Sequence, residues 1–153
     1  MVNPISDRYP RVSTYLCVDG ASEAIDFYTS VLGFEEGRRM VFDGRVGHAE
    51  LRLGDSVVML SDEWPDMDVR SPKAFGGTAV AMSVRVTDCD AVYAAALAAG
   101  ADELRPPEDQ FYGDRAGQFT DPWGHRWSVH TQIEEVDDAE LDRRAAEMMG
   151  ASE

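Results

Sequence analysis

"RAGQFTDPWGHRWSVH", Arg115 to His130, reads as a strand, a Pro-Gly turn and a second strand. "RVGHAELRLGDSVVML", Arg45 to Leu60, has the same rhythm. Glycines fall at Gly47 and Gly54 in the earlier stretch and at Gly117 and Gly124 in the later one. Matching them relates His48 to Gln118 and Glu50 to Thr120. The likeness extends upstream. "RVSTYLCV" (11–18) is a β-branched and aromatic strand, followed by a helix whose apolar face is Ala24, Phe27, Tyr28, Val31 and Leu32, with Gly33 as its stop. "EEGRRMVFDGR" is a strand running into an Asp-Gly hairpin turn. In the second half a strand near Val84 leads into an alanine-rich helix ended by Gly100, then a strand and the later hairpin. Val18 aligns with Val86 and Gly33 with Gly100. The pattern β-α-β-β-β therefore occurs twice, the signature of a tandem repeat.

The boundaries that follow are a first module over 11–62, a linker loop over 63–78, a second module over 79–132, and an acidic C-terminal helix and tail over 133–153. The linker "SDEWPDMDVRSPKAFGGT" is rich in proline, glycine and acid. The terminal "DAELDRRAAEMM" reads as a short charged surface helix.

With 153 residues and a 44% apolar fraction, the chain has the composition of a globular protein. Its net charge of −15 argues against binding nucleic acid or an anionic membrane through bulk electrostatics. No apolar run has the length of a membrane span, and "MVNPISDRYPRV" lacks the apolar stretch of a secretory signal. Cys17 and Cys89 are too few for a disulfide framework and suit a reducing, cytoplasmic setting. No CxxC, GxSxG, HExxH, P-loop or dinucleotide fingerprint is present.

Strand alternation separates the faces. Val12, Leu16 and Val18 oppose Ser13, Tyr15 and Cys17; Ala49, Leu51 and Leu53 oppose His48, Glu50 and Arg52. Val57 and Met59 alternate with Val58 and Leu60. Val80, Met82, Val84 and Val86 oppose Ala81, Ser83 and Arg85; Trp127 and Val129 oppose Arg126, Ser128 and His130. The apolar faces are those the helices would cover. The polar faces are either solvated or line a site. His48 beside Glu50 is either an acid-base pair or a surface ion pair. His125 suits a structural place in the turn, and His130, near a strand end, a solvated one. Asp114 and Arg115 suit a local ion pair. Trp127 belongs to the core. Trp64, Phe75, Phe111 and Tyr112 are loop aromatics suited to stacking on a flat ligand or to sealing an interface.

"AIDFYTSVLGFEE" (24–36), "GHAELRLGDSVVML" (47–60) and "DQFYGDRAGQFTDPWGHRWSV" (109–129) resemble the vicinal oxygen chelate superfamily, which includes glyoxalase I, bleomycin resistance proteins and extradiol dioxygenases, and most of all its PhnB-like bacterial branch. The resemblance spans roughly residues 11 to 132. It implies an α+β fold of two tandem βαβββ modules forming a curved mixed sheet around a cleft, commonly in a homodimer. The superfamily's enzymes hold one divalent metal with residues from the first and last strands of each module. Those positions read Ser13, Val58 (Met59 if the turn shifts by one), Ala81 and Ser128. Alanine and valine supply no ligand and neutral serines bind such ions poorly, so no metal or other cofactor is expected. A relocated site would use His48 and Glu50.

The resemblance also makes the polar faces the lining of a cleft: Tyr15, His48, Glu50, Arg52, Ser83, Arg85, Gln118, Thr120, Arg126, Ser128 and His130, with Trp64, Phe111 and Tyr112 from the loops. Two functions follow. One is a metal-independent small-molecule-binding protein with its cleft between modules or subunits. The other is a lyase, isomerase or dioxygenase with a relocated metal, or an acid-base catalyst using His48 and Glu50.

Overall fold

The computed structural model describes residues 2–150, and the chain divides into two compact units between Thr78 and Ala79. The last three residues of the expected 133–153 tail lie outside the described residues.

The first unit runs β1 (Thr14–Val18), α1 (Ala21–Ser30), β2 (Glu35–Phe42), β3 (Arg45–Leu53) and β4 (Ser56–Asp62). Its four-stranded sheet has the order β1-β4-β3-β2. β1 is parallel to β4, so the chain needs a crossover, and α1 is part of it. The remaining pairs are antiparallel hairpins. Asp43 and Gly44 both adopt positive φ (49° and 76°), the geometry that an Asp-Gly pair gives a two-residue turn. Leu16, Val18, Ala49, Leu51 and Leu60 are buried from the sheet, as are Ala24, Ile25 and Tyr28 from α1. Each large apolar side chain so buried contributes roughly 1.5–3 kcal/mol.

The second unit repeats the plan: β5 (Ala81–Arg85), α2 (Cys89–Ala98), β6 (Asp102–Asp109), β7 (Asp114–Thr120) and β8 (Arg126–Gln132), in the order β5-β8-β7-β6. The fold is thus α+β with tandem βαβββ modules, and its strands form two four-stranded sheets rather than one. Trp127, Phe119 and Val129 are the buried centre of the second sheet, with Tyr93 and Ala96 from α2. Val80, expected on the apolar face, precedes β5 and is exposed.

The register corrects the match between the hairpins. Arg52 pairs with Val57 across four intervening residues, whereas Thr120 pairs with Arg126 across five. Matching the glycines therefore slips the strands. Glu50 opposes Met59 as Gln118 opposes Ser128. The counterpart of Gln118 is Glu50, not His48, and that of Thr120 is Arg52, not Glu50. Likewise Met59, not Val58, stands where Ser128 stands. Val58 opposes the buried Leu51 and belongs to the apolar face.

In both units the last strand caps the first helix. Asp62 Oδ1 accepts from the Gly20 and Ala21 amides (3.1 and 2.8 Å), and its Oδ2 from the Val46 amide (2.7 Å). Thr131 Oγ1 accepts from the Cys89 amide at 2.8 Å and donates to the Val86 carbonyl at 3.0 Å. The longer turn of the second hairpin is organised by buried Asp121. Its carboxylate accepts from the amides of Trp123 and His125 and from Trp127 Nε1 at 3.0, 2.9 and 2.8 Å.

The segment expected as a linker carries two short 3-10 turns (Pro65–Met67 and Pro72–Phe75) and a Trp64–Val69 bridge. Glu63 Oε1 ties it down through the Ser71 amide at 2.7 Å. The terminal helix α3 (Asp138–Gly150) is anchored through Arg144, which reaches both Glu134 carboxylate oxygens (2.8 and 2.7 Å) and the Phe111 carbonyl (3.1 Å). Among the described residues no helix is long and apolar enough to cross a membrane.

Candidate functional site

Strand alternation places His48 and Glu50 on the β3 face opposite Ala49 and Leu51. Tyr15 and Met59 share that face through the register Tyr15–Met59–Glu50. Such a face would ordinarily be wet. Here the segment before β1 covers part of it, and Glu50 is only 3% exposed. Tyr9 Oη donates to Glu50 Oε1 at 2.8 Å, and Arg8 Nη2 reaches Oε2 at 3.3 Å. Arg52 Nη2 donates to the Arg8 carbonyl at 3.0 Å and so fixes that segment. His48 Nε2 lies 3.3 Å from Glu50 Oε1, while its Nδ1 lies 3.0 Å from Tyr15 Oη.

The pair is therefore no surface ion pair. Buried carboxylates ordinarily titrate high. The Tyr9 hydrogen bond, with His48 and Arg8, outweighs burial and holds the Glu50 carboxyl below the usual range. Burial raises the Tyr15 phenol. The result is a buried ionised carboxylate at one end of a Glu50–His48–Tyr15 chain. Arg8, half exposed and held by a long contact, is its least committed partner.

Sequence reasoning missed Arg8 and Tyr9, which precede the first strand. The Arg and Tyr of "SDRYPR" have no periodic partner, so their only signal was charge complementarity to a lone strand carboxylate.

The other expected residues fall in separate places. Trp64 stacks under the Arg45 guanidinium at 5.3 Å from its ring centre. Ser83, Ser128 and Gln118 lie side by side across β5, β8 and β7. Thr120 and Arg126 pair at the turn end of that hairpin, with Arg126 Nε buried. Phe111 and Tyr112 meet edge to face at 5.4 Å just before β7. Phe75 is exposed. An open groove of about 450 Å³ in the first unit lies instead at the start of α1. Asp19, Glu23, Arg45, Asp62 and Glu63 line it, not His48 or Glu50.

In the second unit His130 is not solvated: its side chain is 13% exposed. Its Nε2 lies 2.8 Å from Ser128 Oγ and its Nδ1 3.2 Å from Asp114 Oδ2. Asp114 and Arg115 do not pair with each other. Asp114 accepts from Arg85, and Arg115 bridges Asp90 and Asp109.

The divalent ion that the superfamily's enzymes carry finds no matching donors. With Met59 replacing Val58, its positions offer two hydroxyls (Ser13, Ser128), a thioether (Met59) and a methyl (Ala81). Among the described residues, no group of three or more His, Cys, Asp or Glu side chains is arranged so that it could hold a metal ion.

The paired modules are matched by known proteins. The sequence profile of the Glyoxalase/Bleomycin resistance protein/Dioxygenase superfamily matches residues 9–129, and the chain belongs to that superfamily. An uncharacterized protein of Mycobacterium bovis is 42% identical over 136 residues, covering 86% of this chain and 90% of its own. The crystal structure of TioX from Micromonospora sp. ML1 superposes with a TM-score of 0.63 at 28% identity, covering 81% of this chain and 99% of its own. The PhnB protein from Bacillus cereus gives 0.63 at 22%, covering 80% and 99%, and speaks to fold alone.

Proposed function

We propose that this protein is a metal-independent binder of a small cationic, aromatic compound, with Glu50 as the anionic anchor. The observation that carries this reading is a carboxylate only 3% exposed whose cationic partner Arg8 is half exposed and 3.3 Å away. A ligand cation replaces that guanidinium and keeps the Tyr9 hydrogen bond. Tyr15 and His48, tilted rings 5.7 Å apart, offer an aromatic wall. The net charge of −15 favours encounter with a cation. The donor set at Ser13, Met59, Ala81 and Ser128 supports function without a divalent ion. The free thiols Cys17 and Cys89 suit a cytoplasmic setting, and exposed Val12, Val41 and Phe42 suit a homodimer.

The test is fluorescence titration with a panel of cationic aromatic dyes, using wild type and Glu50→Gln. The reading requires saturable binding, insensitive to chelator, that Glu50→Gln weakens at least about tenfold. Equal affinity in the variant, or turnover abolished by chelator, overturns it.

The Tyr15–His48–Glu50 chain favours a second reading, acid-base catalysis by His48. Under it, His48→Ala abolishes turnover and leaves the fold intact. A variant with full activity eliminates that role.

A further inference from the structure

The second unit carries a different constellation. Ser128 and His130 alternate onto one face of β8, and Ser128 Oγ lies 2.8 Å from His130 Nε2. His130 Nδ1 sits 3.2 Å from Asp114 Oδ2, off the line of a full hydrogen bond. Asp114 is nearly fully buried, and Arg85 Nη1 holds both its oxygens at 2.9 and 2.8 Å. From the order Asp114–His130–Ser128 we infer that Ser128 is an activated nucleophile with esterase-type acyl-transfer activity toward small aryl esters.

The polarity is the one acyl transfer needs. A carboxylate beside Nδ1 stabilises the tautomer protonated there, leaving the Nε2 lone pair to accept the Ser128 proton. Ser128 Oγ attacks the ester carbonyl carbon. The new Oγ–C bond forms as the hydroxyl proton passes to Nε2. Collapse breaks the bond to the aryloxide, which leaves with that proton. Water then loses a proton to Nε2 and attacks the acyl-serine, the acid departs, and the proton returns to Oγ. Gln118, the cross-strand neighbour of Ser128, places an amide donor on the same face for the carbonyl oxygen. Tyr112, partly exposed against Phe111 and within the field of Asp114 and Arg85, offers an aryl group a surface. The matching positions of the first unit, Met59 and Ser61, hold no such set, so the arrangement does not follow from the fold alone.

The experiment treats the full chain with a fluorophosphonate and reads the modified peptide by mass spectrometry, alongside hydrolysis of 4-nitrophenyl acetate. The expected result is an adduct on Ser128, lost in Ser128→Ala. His130→Gln should slow labelling and hydrolysis about 10²–10⁴-fold with unchanged circular dichroism. Arg85→Gln, which loosens Asp114 without touching the serine, should slow both by a smaller factor. A folded wild type with no adduct on Ser128 overturns the assignment. So does a labelling rate that His130→Gln leaves unaltered.

Discussion

Tyr9 and Glu50, forty-one residues apart, are joined by a 2.8 Å hydrogen bond from the phenol to a buried carboxylate. That contact turns a strand face open to water by its periodicity into a partly covered site. Tyr9→Phe removes the donor and leaves the ring. Its melting temperature should fall by about 2–4 °C, and covalent probes should reach the His48 imidazole faster. A variant as stable as wild type, with unchanged His48 reactivity, would show the cover to be held by other contacts.

The same bond makes stability depend on acidity. Glu50 titrates below its ordinary range in the folded chain, so folding is favoured where the unfolded carboxyl has already ionised. This contribution is complete above the ordinary carboxylate range and disappears as pH falls through the lowered value. The stability gap between wild type and Glu50→Gln should therefore shrink from about pH 6 to about pH 3. Denaturant midpoints across that range measure it, and a gap that widens with acid contradicts the direction.

Removing metal should change nothing. Incubation with a chelator followed by gel filtration is expected to move the melting temperature by less than about 1 °C, because a bound ion would have stabilised the fold by mass action. Metal analysis of protein purified without chelator completes the test. Near-stoichiometric zinc, nickel, manganese or iron would mean that the donors lie elsewhere.

Asp121→Ala leaves the amides of Trp123 and His125 and the indole nitrogen of Trp127 without their shared acceptor. Each buried donor so orphaned costs about 1–3 kcal/mol. The loss should reach at least about 3 kcal/mol by chemical denaturation.

Gly113 sits at φ +90°, and a Cβ there would lie 2.5 Å from the Glu134 carbonyl oxygen. Gly113→Ala should therefore cost about 1–3 kcal/mol and increase amide exchange at Ile133 and Glu134, whose amides bond the Gly113 carbonyl.

Elements and their order were legible because hydrophobic period and turn residues are local signals. The two helices ended near Gly33 and Gly100, and the Asp43–Gly44 hairpin lay where the dipeptide put it. Position within the repeat was less legible. Glycines suggested a constant spacing, but one extra residue between Thr120 and Arg126 shifts every later partner, which is why Val58 stood in for Met59. Contacts from outside the periodic segments were hidden altogether. Arg8 and Tyr9 reach Glu50 from an irregular segment, and Asp114 turns from its chain neighbour Arg115 toward Arg85 and His130. Such choices are made by tertiary packing, which no local pattern encodes.

The capping of each first helix by its module's last strand bears on synthesis. Asp62 must be present before the Gly20 and Ala21 amides have their carboxylate acceptor, and Thr131 before the Cys89 amide has its hydroxyl, although Asp88 caps the Ala91 amide of α2 from within the helix's own start. A nascent chain that has released only the first three elements of either module leaves those amides to water and holds a strand with no parallel neighbour. Each module is thus completed in one late step, when its final strand clears the ribosome. A translational pause that keeps β4 or β8 inside the ribosome would hold the growing chain in its least protected form.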